Sequence, residues 1–285
     1  MNRISLKGHE VDKLKQYPTG NVMSTESIIY YYKHYDSKNL LIKKLFLTDK
    51  DIFKRKIDTI EDINNSELSN FEELVIPEDL VVVRGKKIGF TIREITDSTN
   101  LGFILDDPKV SIEKKILLLK KIGELLNKTM SCDKDFYIND LQPFNFLVDK
   151  DDNIRVVDLD SSATNSNNPL ISFYMTLDNK TRQIDKYHVT ADGLSYPDNN
   201  SDLFCYNMMI LNTISGNKIH KLNFAEFYNY LFYLSSIGMN SDLINSFVTL
   251  YENKDNINPV DYLSNINKES LYRSQYNVYK LNKKR

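Results

Sequence analysis

The chain has 285 residues, enough for one large domain or for two smaller units with separate cores. Hydrophobic residues make up 41% of it and charged residues 27%, and the net charge of −2 gives no electrostatic reason to expect a nucleic-acid or membrane partner. The two cysteines cannot form a disulfide framework, and no apolar run reaches membrane-spanning length, so we expect a cytoplasmic protein.

The first hundred residues are rich in strand-forming patterns. Strands are predicted at residues 28–35, 40–47, 80–83 and 88–92, joined in pairs by turns. Residues 49–64 form the one helix that we predict in this region, because isoleucines recur every three residues along one face.

The pattern changes after Ile95. Residues 97–100 are a polar break, and a long helix capped by Ser111 is predicted to run to about Met130. Residues 161–197 form a polar connection of a length that is often functional. Further helices are predicted at 201–214, 224–237, 240–252 and 258–275. The order of elements predicts an α+β protein with a small β-rich part and a larger helical part.

Residues 137–160 carry the most informative pattern. A polar loop, a short apolar strand, a turn and a second apolar strand follow one another and end in acidic residues. A hairpin of this kind would bring Asp140, Asn145 and Asp158 to one end. Two carboxylates and an amide suit a divalent cation that carries a phosphorylated ligand. Taken singly, Asp140 and Asn145 are also ordinary turn residues.

These residues resemble the protein-kinase-like fold family. The family's catalytic loop reads His-Arg-Asp-x-x-x-x-Asn, and residues 138–145 keep the Asp and the Asn at that spacing but lack the His and the Arg. Asp158-Leu-Asp160 corresponds to the family's metal-binding Asp-Phe-Gly. The resemblance implies one two-lobed catalytic domain, with residues 1–95 as N-lobe and 96–285 as C-lobe. It also implies that Asp202 is the buried residue that holds the catalytic-loop backbone.

The resemblance implies ATP and Mg²⁺ as cofactors and assigns roles to several residues. Asn145 and Asp158 would hold the metal, and Asp140 would orient and deprotonate the acceptor hydroxyl. Lys43 would neutralise the nucleotide phosphates. Lys44 is the alternative, because strand alternation allows only one of the two lysines to point into the cleft.

The remaining nucleotide contacts are expected on both sides of the adenine. Leu41 and Ile92 would pack beside the base, and the hinge near Arg93 would add Glu94 and Ile95. Asp160 could help to hold the metal or could face solvent.

Two family features are reduced in this sequence. The glycine-rich loop, at residues 20–27, keeps a single glycine. Lys56 stands where the family has the helix glutamate that pairs with the strand lysine, and Glu61 or Asp58 could substitute for it.

The expected function is therefore an ATP- and magnesium-dependent phosphotransferase. It would transfer the γ-phosphoryl group to a hydroxyl of a protein Ser/Thr or of a small molecule. A small-molecule acceptor is included because the sequence of residues 140–145 is similar to that of kinases of the aminoglycoside- and choline-kinase type. The alternative is a pseudokinase, a nucleotide-binding or scaffold module without transfer. The reduced loop and the missing helix glutamate favour the alternative, and the retention of Asp140, Asn145 and Asp158 favours the enzyme.

Overall fold

The computed structural model describes residues 1–18, 26–35, 38–46, 49–169, 197–216, 219, 222–251 and 255–276. Within these ranges the protein is a mixed α+β structure, and no helix there is long and apolar enough to cross a membrane. Two features singled out above lie largely outside the described residues: the reduced glycine loop, of which 20–25 are not described, and 170–196 of the long polar connection.

The described N-terminal residues form a five-stranded sheet. Its strands are β1 (Asn2–Leu6), β2 (Ser27–Tyr35), β3 (Lys38–Leu45), β4 (Asp79–Val83) and β5 (Lys86–Arg93). The order is β1-β4-β5-β3-β2, with β1 parallel to β4 and every other pair antiparallel. Both predicted hairpins are confirmed, whereas β1 was not predicted.

The N-terminal segment covers both ends of this sheet. After β1 the chain makes the short helix α1 (Gly8–Val11) and then pairs with the free side of β2. Tyr17 N donates to Ile29 O at 2.8 Å, and Tyr31 N donates to Lys15 O at 2.9 Å. The first eighteen residues therefore reach from one edge of the sheet to the other.

Helix α2 (Lys50–Asn65) confirms the helix predicted at residues 49–64. It begins at Asp49, whose carboxylate accepts hydrogen bonds from the backbone of Asp51 and Ile52. It is not the single helical segment of this region, because α1 and a 3₁₀ turn at Glu67–Asn70 are also present. Each is about one turn long, which is too short for a helical period to show in the sequence.

The remainder of the chain is mainly helical. Its elements are β6 (Ser98–Asn100), α3 (Leu101–Asp106), α4 (Ile112–Cys132), β7 (Phe146–Asp149), β8 (Ile154–Val156), α5 (Asn199–Ser215), α6 (Phe224–Ser236), α7 (Ser241–Val248), α8 (Val260–Leu263) and α9 (Lys268–Tyr276). Strands β6, β7 and β8 form a second sheet. The polar break predicted at residues 97–100 is therefore partly wrong, because 98–100 pair with β7.

The helix predicted at 258–275 is also wrong as a single element. It divides into α8 and α9, and the side chain of Asn267 accepts hydrogen bonds from Glu269 N and Ser270 N. An asparagine that caps a new first turn interrupts the helix although the apolar spacing continues through it.

One continuous apolar core joins the two parts of the chain. It runs from the inner face of the five-stranded sheet and α2 through α4 and α5. A smaller cluster of Val11, Ile42, Val81 and Ile88 lies on the opposite face of that sheet, beneath the N-terminal segment. The core thereby fixes the five-stranded sheet against the β7–β8 hairpin, and a cleft lies between them.

Candidate functional site

A cavity of about 330 Å³ lies in this cleft. Leu41 and Ile92, which are paired across β3 and β5, contribute apolar side chains from one wall. Leu147 of β7 contributes one from the other wall. Six of the residues that the sequence predicted as nucleotide or metal contacts line this cavity: Leu41, Lys43, Ile92, Glu94, Ile95 and Asp158.

Lys43 is the lysine that reaches this cavity. The strand places Leu41, Lys43 and Leu45 on the inner face, where all three are buried, and leaves Lys44 on the other face. The Lys43 ammonium forms ion pairs with both Asp158 and Asp160. Of the two lysines that the sequence left open, Lys43 is therefore the one beside the acidic residues.

The backbone around Lys43 also depends on a neighbouring glycine. Gly89 of β5 has a φ of +156°, and a Cβ there would lie 2.0 Å from the Lys43 carbonyl oxygen. Only a residue without a side chain allows β5 to approach β3 this closely.

Asp158 follows β8 in a left-handed conformation, with φ of +67°. Such backbone is uncommon outside glycine, and aspartate tolerates it better than most residues. One residue earlier, Val157 N donates to Asn145 O at 2.9 Å. This bond joins the end of the hairpin to the loop before it, so the segments carrying Asn145 and Asp158 lie side by side, as the sequence predicted.

Asp160 is buried, with 3% of its surface exposed, so the expectation that it could face solvent is wrong. One carboxylate oxygen contacts Lys43, and the other accepts a hydrogen bond from Lys56 Nζ at 3.1 Å. Each oxygen of this buried carboxylate therefore has its own ammonium partner.

Lys56 comes from α2, on the face that packs against the segment after β8. Its ammonium also lies 2.8 Å from a carboxylate oxygen of Glu26 and 3.0 Å from Ser161 Oγ. The two acids suggested as its replacements do not reach Lys43: Glu61 pairs with Lys87 at 3.3 Å, and Asp58 pairs with Lys54 at 2.5 Å. The contact between Lys56 and Asp160 was not predicted from the sequence.

The charges of the two lysines, Lys43 and Lys56, and of the two aspartates, Asp158 and Asp160, affect one another's pKa values. Burial alone would lower the pKa of Lys43, but the charges of Asp158 and Asp160 raise it above its ordinary value. Burial would likewise raise the pKa of Asp160, and Lys43 and Lys56 hold it well below its usual range. Partial loss of hydration and the negative charge of Asp160 raise the pKa of Asp158 above its ordinary value. Of the two carboxylates, Asp160 is therefore the one whose charged form is favoured by its contacts with Lys43 and Lys56.

The loop that carries Asp140 is held rigidly. Asn145 Nδ2 donates to both the carbonyl and the carboxylate of Asp140 at 2.9 Å, and Gln142 Nε2 donates to the same carboxylate oxygen at 2.9 Å. Asp202 accepts from Ile138 N at 2.7 Å and from Asn139 N at 2.9 Å. The predicted role of Asp202 in holding this backbone is confirmed.

The donor chemistry fits a hard cation such as Mg²⁺. Asp158 supplies carboxylate oxygens, and the amide nitrogen of Asn145 is engaged by Asp140, which leaves its side-chain oxygen as the atom able to bind a cation. Across the described ranges, no group of three or more His, Cys, Asp or Glu side chains is arranged to hold a metal ion. A cation at this position would therefore need oxygens from a bound phosphate as well.

Comparison of the chain with protein-family models and with curated proteins finds no match. The geometry of the cleft is therefore the observation on which a functional conclusion can be built.

Proposed function

We propose that the protein is an ATP- and magnesium-dependent phosphotransferase with a bilobal protein-kinase-like fold that acts in the cytoplasm. Residues 1–95 would be its N-lobe and residues 96–285 its C-lobe. The acceptor would be a hydroxyl group of a protein Ser/Thr or of a small molecule. The order of elements supports this proposal, because a β-rich part with α2 precedes a helical part that carries the β7–β8 hairpin.

The observation that carries the proposal is the composition of the cavity that lies between β3, β5 and β7. One region is apolar, with Leu41, Ile92 and Leu147, and suits a flat nucleobase. Lys43 and Asp158 line the same cavity and suit phosphate and a metal ion. A nucleotide needs both environments within its own length.

The residues then have distinct roles. Lys43 neutralises phosphate charge, and its burial within the sheet fixes its position. Asp140, held by Asn145 and Gln142, orients the acceptor hydroxyl and accepts its proton. Asp158 and Asn145 would hold Mg²⁺, which would supply charge neutralisation at the phosphates.

One feature favours the second candidate, a pseudokinase that binds nucleotide without transferring phosphate. The Lys43 ammonium is bound to Asp158, on the carboxylate that a metal would need. A nucleotide–metal complex must displace this contact or use the second carboxylate oxygen. A nucleotide-binding scaffold does not need the metal in the position required for transfer, so this contact does not hinder it.

Binding is tested by thermal unfolding with ATP and Mg²⁺, with ATP and EDTA, and without ligand. A ligand present at a hundred times its Kd stabilises the folded state by about 2.7 kcal/mol, which raises the melting temperature by several degrees. We expect this shift in the native chain and its loss in Asp158→Ala and Lys43→Ala. Asp151→Ala, in the exposed hairpin turn, is the matched control and keeps the shift.

Transfer is tested separately with γ-labelled ATP, by following label in protein, in small acceptors and in free phosphate. Transfer that is abolished by Asp140→Ala supports the enzyme. A metal-dependent shift without transfer to any acceptor or to water identifies the pseudokinase. If the native chain shows no shift with MgATP, the nucleotide site itself is wrong.

A further inference from the structure

The ion pairs between α2, β3 and the segment after β8 have the opposite polarity from the pair that the kinase resemblance leads one to expect. There, an acid on the helix would bind the strand lysine directly. Here the helix contributes Lys56, and the acid is Asp160, which lies between Lys56 and Lys43. Asp160 is the shared partner of both lysines.

The burial of these groups indicates that the arrangement is fixed. Side-chain exposure is 8% for Lys43, 10% for Lys56 and 1% for Asp160. A carboxylate so deeply buried is costly unless both oxygens are paired, and both are. Asp158, by contrast, keeps 41% of its side chain exposed on the cavity side.

This difference separates the tasks of the two acids. Asp158 can exchange its contact with Lys43 for a metal ion, because it is accessible. Asp160 is inaccessible and stays bound to Lys43 through that exchange. Lys43 therefore remains in place when Asp158 binds another cation.

Further contacts join α2 to the chain beyond Asp160. Thr164 Oγ1 donates to Asp62 at 2.6 Å, and Asn167 Nδ2 donates to the Arg55 carbonyl at 2.7 Å. The segment from Asp160 to Asn167 therefore packs against about two turns of α2, between Arg55 and Asp62.

We infer that Asp160 is a positioning residue that holds Lys43 for the nucleotide phosphates, and that Lys56 fixes Asp160 to α2. The expected pair joins a helix glutamate to the strand lysine directly. In this chain the helix residue is Lys56, and Asp160 lies between it and Lys43. The inference rests on the proposed nucleotide site and identifies which residues set the position of its lysine.

The test is calorimetric titration with MgATP of the native chain, Asp160→Gly, Lys56→Met, Lys56→Arg, Lys56→Glu and the double variant Lys56→Glu/Asp160→Gly. We expect Asp160→Gly and Lys56→Met each to weaken binding by at least about tenfold, because each leaves buried charge without its partner. Lys56→Glu should be at least as weak, since it brings a third carboxylate to the pair. Lys56→Arg keeps the cation and stays within about threefold of the native chain.

The double variant is the most informative, because it rebuilds the expected polarity with a glutamate on the helix facing Lys43. Its affinity should exceed that of both Lys56→Glu and Asp160→Gly, a reversal that general loss of stability cannot produce. Lys54→Met, at an exposed position of the same helix, is the control for helix substitution and should bind like the native chain.

Two results would overturn the inference while the proposed function stands: native-like binding by Asp160→Gly or Lys56→Met, or a double variant that binds no more tightly than the better of its two parents. A native chain that does not bind MgATP would overturn both. Variants that unfold are identified by their melting curves without ligand. If a single variant unfolds, the MgATP affinities of Lys56→Arg and of the double variant decide whether the inference stands.

Discussion

Replacement of Asp202 by asparagine tests whether burial or hydrogen bonding governs the charge of the carboxyl group that holds the Asp140 loop. The side chain is 3% exposed. Burial raises its pKa to about 7, against the opposing effect of the two backbone N–H groups that it accepts from. An asparagine has nearly the same shape but does not titrate, and it has one oxygen where the carboxylate uses a separate oxygen for each of the two hydrogen bonds.

The size of the effect follows from this pKa. A folded-state value of about 7, against an ordinary value of 3.8, means that the folded state binds the proton more tightly than the unfolded chain. The stabilisation by Asp202 is therefore full below pH ~4 and is lost as the pH rises through about 7. Between pH 5 and pH 8 the loss amounts to about 2 to 3 kcal/mol. Asparagine adds a pH-independent cost of about 1 to 3 kcal/mol, because one buried N–H group loses its acceptor.

The assay is urea unfolding of the native chain and Asp202→Asn at pH 5, 6, 7 and 8. The measured quantity is the difference between their free energies of unfolding at each pH. We expect the advantage of the native chain to shrink as the pH rises. Asp242→Asn, at an exposed position in the first turn of α7, is the control and should show a small difference. An advantage that is constant or grows with pH would refute the reasoning, and would mean that the hydrogen bonds outweigh burial.

Two further predictions concern the strand that carries the site lysine. Lys43→Met leaves two carboxylates without their shared cation, so it should lower the free energy of unfolding in urea by about 3 to 5 kcal/mol. Lys44→Met, on the opposite face, should lower it by less than about 1 kcal/mol, and similar losses in both variants would contradict the assignment of Lys43 as the inward lysine. Gly89→Ala should destabilise by more than about 3 kcal/mol or prevent folding, because its Cβ would meet the Lys43 carbonyl, while Gly85→Ala, with φ of +76° and open space around it, should cost only about 1 kcal/mol. Equal melting temperatures for the two alanine variants would show that β5 can move away from β3.

Local sequence patterns were sufficient for the elements that surround the cleft. Alternation along β3 limits the inward position to one of two adjacent lysines, and the apolar runs on either side of a turn define the β7–β8 hairpin. The hairpin in turn brings the segments of Asn145 and Asp158 together. Each of these inferences depends on residues close to one another in the chain.

The contacts that were missed join distant parts of the chain. Lys56 and Asp160 are 104 positions apart, and β1 pairs with a strand more than seventy positions later. The expected partner of Lys43 is an acid on α2, whereas in this chain α2 carries the lysine and the acid follows β8. The lysine in the helix and the second acid after β8 were both visible, but nothing in either local pattern connects them.

The course of the first eighteen residues has a consequence for the solubility of the protein. β1 covers the outer side of β4, and residues 15–17 cover the outer side of β2, so one terminal segment pairs with strands at opposite ends of the sheet. Loss of this segment would uncover two rows of unpaired backbone groups at once, together with the apolar surface of Ile42, Val81 and Ile88. Exposed strand edges pair with one another between molecules. By covering both edge strands, the segment therefore disfavours self-association of the protein through this sheet.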